Sequence, residues 1–119
     1  MRNFKKKEFK CPCCGKNHME RSTTESLDDA RSIAGIPFNI NSGWRCKAHN
    51  EEVGGKPSSS HLHGWAADIE ATSSRQRFKI LDGLIRAGFK RIGIGETFIH
   101  ADRDPAKDPE VSWLYKEAS

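Results

Sequence analysis

Apolar positions along the chain fall into short groups whose spacing alternates between helical and extended. Over residues 24–34, Leu27, Ala30, Ile33 and Ala34 form a modest stripe at helical spacing, and Gly35 and Pro37 end it. Ser22 and Glu25 stand three positions apart, the spacing of a capping box. Phe38, Ile40 and Ser42 favour an extended segment that Gly43 can terminate. Residues 47–53 suit a brief helix before the Gly54-Gly55 turn, and Pro57, Ser58, Ser59 and Ser60 read as an exposed loop. Residues 66–71 predict a strand with Asp68 and Glu70 on one face. A longer helix follows over 74–87, with Ser73 and Gln76 as its cap and Phe78, Leu81, Leu84 and Ile85 at core-facing positions. Two extended pieces, 91–95 and 97–102, complete the pattern, and Gly93 and Gly95 permit a close backbone path there.

This order predicts an α+β fold, with a small antiparallel sheet flanked by helices. The 119 residues suffice for one domain. A basic, cysteine-rich arm over residues 1–21 is expected to precede a domain over 22–119, with Arg2, Lys5, Lys6, Lys7 and Lys10 in solvent. Only 35% of residues are hydrophobic, so a metal, a disulfide or assembly would add useful constraint. Twenty Lys and Arg against 16 Asp and Glu leave a charge of +4, a mild excess suited to approaching an anionic polymer. Aromatic residues do not interleave with the basic ones, which argues against a specific nucleic-acid groove. No apolar run is long enough for membrane insertion, and the first residues lack the apolar segment of a secretory signal. Synthesis in the cytoplasm is therefore expected.

His61 and Asp68 lie seven positions apart, and His100 comes from a distant segment. Two imidazole nitrogens and a carboxylate oxygen can hold Zn²⁺ while leaving one position open. His63 competes with His61, because residues two apart on an extended segment face the same side, and the chemistry alone leaves that choice open. His18 and His49 read as structural or surface groups. The run Ser60-His61-Leu62-His63-Gly64-Trp65-Ala66-Ala67-Asp68-Ile69 is followed by Phe98-Ile99-His100-Ala101-Asp102 and preceded by Ser42-Gly43-Trp44-Arg45. These words resemble the M15 family of zinc D-alanyl-D-alanine peptidases and related peptidoglycan hydrolases, over much of the chain from Ser42 onward. They also look like a compact phage-associated branch that includes cell-wall endopeptidases. The resemblance implies a hedgehog and D-Ala-D-Ala-peptidase-like fold with an exposed zinc cleft, and it makes His61, Asp68 and His100 the ligands of Zn²⁺.

A peptidase of this kind needs a carboxylate to move a proton from water to the departing amine. Glu96, four positions before His100, and Asp102, two positions after it, are the candidate catalytic carboxylates. The resembling enzymes often carry an acidic residue three positions before the final histidine, where this chain has Thr97. Asp102 can instead orient His100 or Arg103. Arg45 is the third catalytic candidate. Its guanidinium suits a carboxylate or a developing oxyanion, and its setting resembles that of the M15 arginine that orients substrate. Ser60 can add a hydrogen bond. Trp44 and Trp65 can line the cleft or pack behind it, and Trp113 is expected to anchor the carboxyl-terminal segment.

Cys11, Cys13, Cys14 and Cys46 admit three readings: a clamp from Cys14 to Cys46, a structural metal, or free thiols. For the whole chain, the leading expectation is a zinc metallopeptidase that hydrolyses a peptide bond in the bacterial peptidoglycan stem. Its partners would be peptidoglycan or stem peptides, reached after lysis, by another export route or as a phage particle component. The alternatives are a noncatalytic zinc-stabilised cell-wall or phage structural module, and a soluble D-Ala-D-Ala dipeptidase.

Overall fold

The computed structural model describes residues 2–115. Helix α1, Arg21–Ala34, buries Thr23, Leu27, Ala30 and Ala34 on one side and ends at Gly35, which turns left-handed at φ 71°. It begins earlier than the expected capping box. The Glu20 backbone N–H donates to the Gly64 carbonyl at 3.0 Å, which fixes the chain two residues before Ser22. Ser22 thus lies inside the helix, and Glu25 pairs with Arg21 on the surface at 3.2 Å.

After the short strand β1, Ile40–Ser42, comes helix α2, Lys47–Glu52. Ser60 does not lie in an exposed loop: it is buried, and it opens a 3₁₀ turn, Ser60–His63. Strand β2, Ala66–Glu70, leads into helix α3, Ser74–Arg86, where the Ser73 hydroxyl accepts from the Gln76 backbone N–H at 3.1 Å. The Gln76 side chain reaches back to the Thr72 N–H at 2.8 Å, one residue beyond the Ser73 N–H that a capping box would use.

The buried face of α3 is Ile80, Gly83 and Leu84, rather than one carrying Phe78 and Ile85, which are 72% and 62% exposed. Gly83 is the reason. A Cβ there would collide with the Ala30 carbonyl, so its bare backbone lets α1 lie against α3. An apolar count cannot see a glycine used in this way.

Strands β3, Arg91–Ile94, β4, Phe98–Asp102, and β5, Val111–Leu114, complete a five-stranded sheet in the order β1-β2-β4-β3-β5. All pairs are antiparallel except β3 with β5, so the sheet is mixed rather than antiparallel throughout. Alternation sends Ala67, Ile69, Ile92, Ile99 and Ala101 into a core shared with Leu27, Phe38, Ile80, Leu84 and Phe89. Phe4 and Phe9 join the same core, while the lysines between them stay in solvent. The Asn3 N–H donates to Asp28 at 2.7 Å, and Trp44 N–H donates to the Phe9 carbonyl at 2.9 Å. Among the described residues, no helix is long and apolar enough to cross a membrane.

Candidate metal centre

Register across the sheet assembles the site. Ser42 pairs with Asp68, Asp68 with His100, His100 with Gly93, and Gly93 with Trp113, so one row of residues runs across all five strands. Asp102 and Arg91 are partners in the neighbouring row. Both rows contribute to the face turned away from the shared core. His61 comes to that face from the 3₁₀ turn, which ends in left-handed Gly64 at φ 78°. A Cβ on Gly64 would collide with the His18 carbonyl, so the turn closes only on glycine. The turn also separates the two competing histidines: His61 is buried, whereas His63 is exposed.

The outer nitrogen of each ligand-candidate ring is bound to a group that only accepts. His61 Nδ1–H donates to the Gly43 carbonyl at 2.8 Å, and His100 Nε2–H donates to Asp102 Oδ2 at 2.9 Å. The inner nitrogens converge on Asp68 Oδ1, His61 Nε2 at 3.2 Å and His100 Nδ1 at 2.9 Å. Donor atoms of His61, Asp68 and His100 all lie within 4.8 Å of one another. Two nitrogens, one carboxylate oxygen and an acceptor behind each ring fit a divalent ion of zinc's preferences.

Charge is concentrated here. Burial opposes ionisation of Asp68, but the charge of His61 and the hydrogen bonds from His100 and His61 outweigh it and hold the carboxyl well below its usual range. Burial likewise opposes a charged His100. Hydrogen bonds to Asp102 and Asp68 prevail, so the metal-free ring is raised to about 9. Asp102 is lowered despite burial, through the hydrogen bond and charge of His100, the Asp104 N–H and Arg91.

Arg45 stands beside the triad. It donates to Asp68 Oδ2 at 3.3 Å, Ser42 Oγ at 2.9 Å and Asn50 Oδ1 at 3.2 Å, which fixes its guanidinium in place. Asp102 is brought to the site but is not free in it. Its Oδ1 accepts from Arg91 Nε at 2.9 Å and Asp104 N–H at 3.1 Å, while Oδ2 is held by His100. Glu96 is not brought to the site: its side chain is exposed at the β3–β4 turn and lies outside the cleft lining. Trp44 donates its indole N–H to the Leu62 carbonyl at 2.9 Å and meets His18 edge-on, so it supports the His61 turn rather than lining the cleft.

The cleft measures about 530 Å³, and its rim carries Lys56, Arg91 and Lys107. Sequence reading missed its far wall. Strand β5 carries Trp113, with ring centroids 5.6 Å from His100, and Tyr115 follows on the same side. Burial, together with the charges of Asp68 and Asp102, keeps the Tyr115 phenol above its ordinary value despite a hydrogen bond with Trp113. Trp113 therefore faces the candidate ligands instead of merely anchoring the chain end. The two-residue aromatic spacing of Trp113 and Tyr115 was the available signal. Ser60 does add a hydrogen bond, donating to Asp104 Oδ2 at 2.9 Å and accepting from Lys107 Nζ at 2.9 Å.

Fold and donor set together define an α+β domain with a cleft on the open face of its sheet where three candidate metal donors converge. The chain belongs to the M15 peptidases: the Peptidase M15 family model matches residues 2–102. No curated protein matches the chain closely enough to add a relative to that assignment.

Proposed function

We propose that this chain is a zinc-dependent peptidase that cuts a peptide bond in the bacterial peptidoglycan stem. The observation that carries the reading is the convergence of His61 Nε2 and His100 Nδ1 on Asp68 Oδ1, in a chain of M15 membership. Zinc held there supplies Lewis-acid polarisation of the scissile carbonyl and a more acidic water. Arg45, fixed on three sides, offers its cleft-facing edge to a substrate carboxylate or a developing oxyanion. Tyr115 lines the same space with a phenol kept protonated, a donor available to substrate. Asp102 accepts from His100 Nε2–H, so that when the ring gives up one proton it is Nδ1, facing Asp68, that is left to take the ion. The basic rim of Lys56, Arg91 and Lys107 suits the carboxylates of wall stem peptides. Access to the wall comes after lysis, by another export route or within a phage particle.

One observation favours a second reading, a noncatalytic zinc-stabilised wall-binding module. Among the described residues, neither sequence-predicted base, Glu96 or Asp102, stands free in the cleft. Mass analysis of defined stem peptides incubated with zinc-loaded protein separates the two. The peptidase reading expects one chemically defined cut, lost with chelator, restored by zinc, absent in His61→Ala and His100→Ala, and unchanged in Glu96→Gln. No product from folded protein with stoichiometric zinc would establish the binding module. Cleavage of free D-alanyl-D-alanine alone would establish a dipeptidase.

A further inference from the structure

A second group of metal-ligating side chains lies outside the cleft. Cys11, Cys14 and Cys46 bring their sulfurs within 4.8 Å of one another, although Cys46 is 35 positions from Cys11. The expected Cys14 to Cys46 clamp is not formed, and all four cysteines are free thiols. Cys11 is buried at the start of a tight loop in which the Cys11 N–H donates to the Lys16 carbonyl at 2.8 Å and Gly15 N–H to the Cys11 carbonyl at 2.7 Å. Gly15 takes φ 74° to close that loop. Burial disfavours the thiolate, but N–H groups of Cys46, Cys14 and Cys13 donate to it and bring the thiol down to about 7. The Cys46 sulfur, at the head of α2, likewise accepts from the His49 N–H at 3.4 Å. Cys13 sits in the same loop, outside that three-sulfur cluster, and its thiol is pushed up chiefly by a hydrogen bond and charge from Cys46.

We infer that Cys11, Cys13, Cys14 and Cys46 form a structural thiolate site for a second divalent ion, Zn²⁺, separate from the His61–Asp68–His100 centre. Geometry supports an ion over a bridge. Cys11 and Cys46 sulfurs stand 3.7 Å apart. Tetrahedral zinc with bonds near 2.3 Å places its sulfurs about 3.8 Å apart. Cys14 already stands within 4.8 Å of both, and in the proposed site the exposed Cys13 beside it turns in to supply the fourth corner. A disulfide would use two of the four sulfurs and leave the others crowded against it, whereas one ion uses them all and offsets half of the charge of four thiolates. The site also has a structural task. It ties the amino-terminal loop to the segment that supplies the Gly43 carbonyl to His61 and the Arg45 guanidinium to Asp68. In a small domain with few apolar residues, such a tie adds folding free energy directly.

The test is cobalt substitution of the full-length protein purified under reducing conditions, read by absorption and by thiol alkylation. Expected are a thiolate-to-metal charge-transfer band in the near ultraviolet and intense tetrahedral visible bands. The charge-transfer band persists in His61→Ala, which disables only the cleft site, and vanishes in Cys11→Ser. Metal loading of the wild-type protein slows alkylation of the cysteines by more than about tenfold. This arm needs no variant, so a Cys11→Ser chain that fails to fold leaves the test intact. A wild-type cobalt spectrum lacking the thiolate band would overturn the inference. So would equal alkylation rates with and without metal, or an intact mass showing disulfides in the reduced preparation. None of these outcomes depends on whether the cleft is catalytic.

Discussion

Replacing Asp102 with Asn tests how the sheet prepares His100. The substitution keeps the volume and removes the charge. In the native site Oδ1 takes two donors, Arg91 Nε and the Asp104 N–H, while Oδ2 takes the His100 Nε2–H. An Asn carbonyl satisfies the side with two donors, which turns its NH₂ toward His100 Nε2. That nitrogen must then accept, and the proton of the neutral ring moves to Nδ1, the atom aimed at Asp68 and the metal position. Binding an ion requires the other tautomer, with one N–H forced against another. Loss of a charge-assisted hydrogen bond costs about 1.5–3 kcal/mol. Removing such an outer partner lowers metal affinity about 10- to 100-fold. The assay is zinc competition against a chromophoric chelator at neutral pH, followed by peptide hydrolysis at saturating zinc. Because thiolates bind zinc tightly, the second transition reports the cleft. Affinity unchanged within about twofold would refute the positioning role. A collapse of kcat at saturating zinc with intact affinity would also refute it, since Asp102 would then be acting on the reacting atoms.

Other outcomes follow from the same geometry. His100 in the metal-free protein is raised from its ordinary 6.5 to about 9, so it keeps its proton at neutral pH. That proton must leave before an ion enters, and cleft affinity should fall about tenfold per unit as pH drops below 9. Histidine NMR titration with parallel zinc titrations checks this, and a flat profile between pH 6 and 9 would contradict it. A Cβ at Gly93 would sit 2.6 Å from the Trp113 indole nitrogen and 2.7 Å from the Tyr115 ring. Gly93→Val should therefore displace the aromatic wall at a cost of about 1–3 kcal/mol. It should raise KM with metal affinity preserved, and an unchanged KM would show the wall to be idle. Along α3, Leu84→Ala should cost about 2–5 kcal/mol in urea unfolding. Phe78→Ser on the exposed side should stay within about 0.5 kcal/mol.

Elements with local signatures were legible in the sequence. The alternation of β2 and β4 put Asp68 and His100 on faces, and Ser73 announced the start of α3. What stayed hidden depends on relations between distant segments. Gly83 fixes which side of α3 is buried only because α1 presses on it. Strand β5 pairs parallel with β3 across a proline-containing loop, so nothing nearby marks it as a fifth strand. The choice of His61 over His63 rests on a 3₁₀ turn where an extended segment would have left both equivalent. Arg91 became visible as the partner of Asp102 only through strand register. The same register explains why Asp102 sits behind His100 instead of free in the cleft.

Anomalous diffraction at the zinc edge, from crystals of the zinc-loaded protein, addresses the cleft most directly. A peak should lie about 2.0–2.2 Å from His61 Nε2, an Asp68 carboxylate oxygen and His100 Nδ1, with an open position toward Arg45. Full zinc occupancy elsewhere with no peak among these three donors would contradict the account.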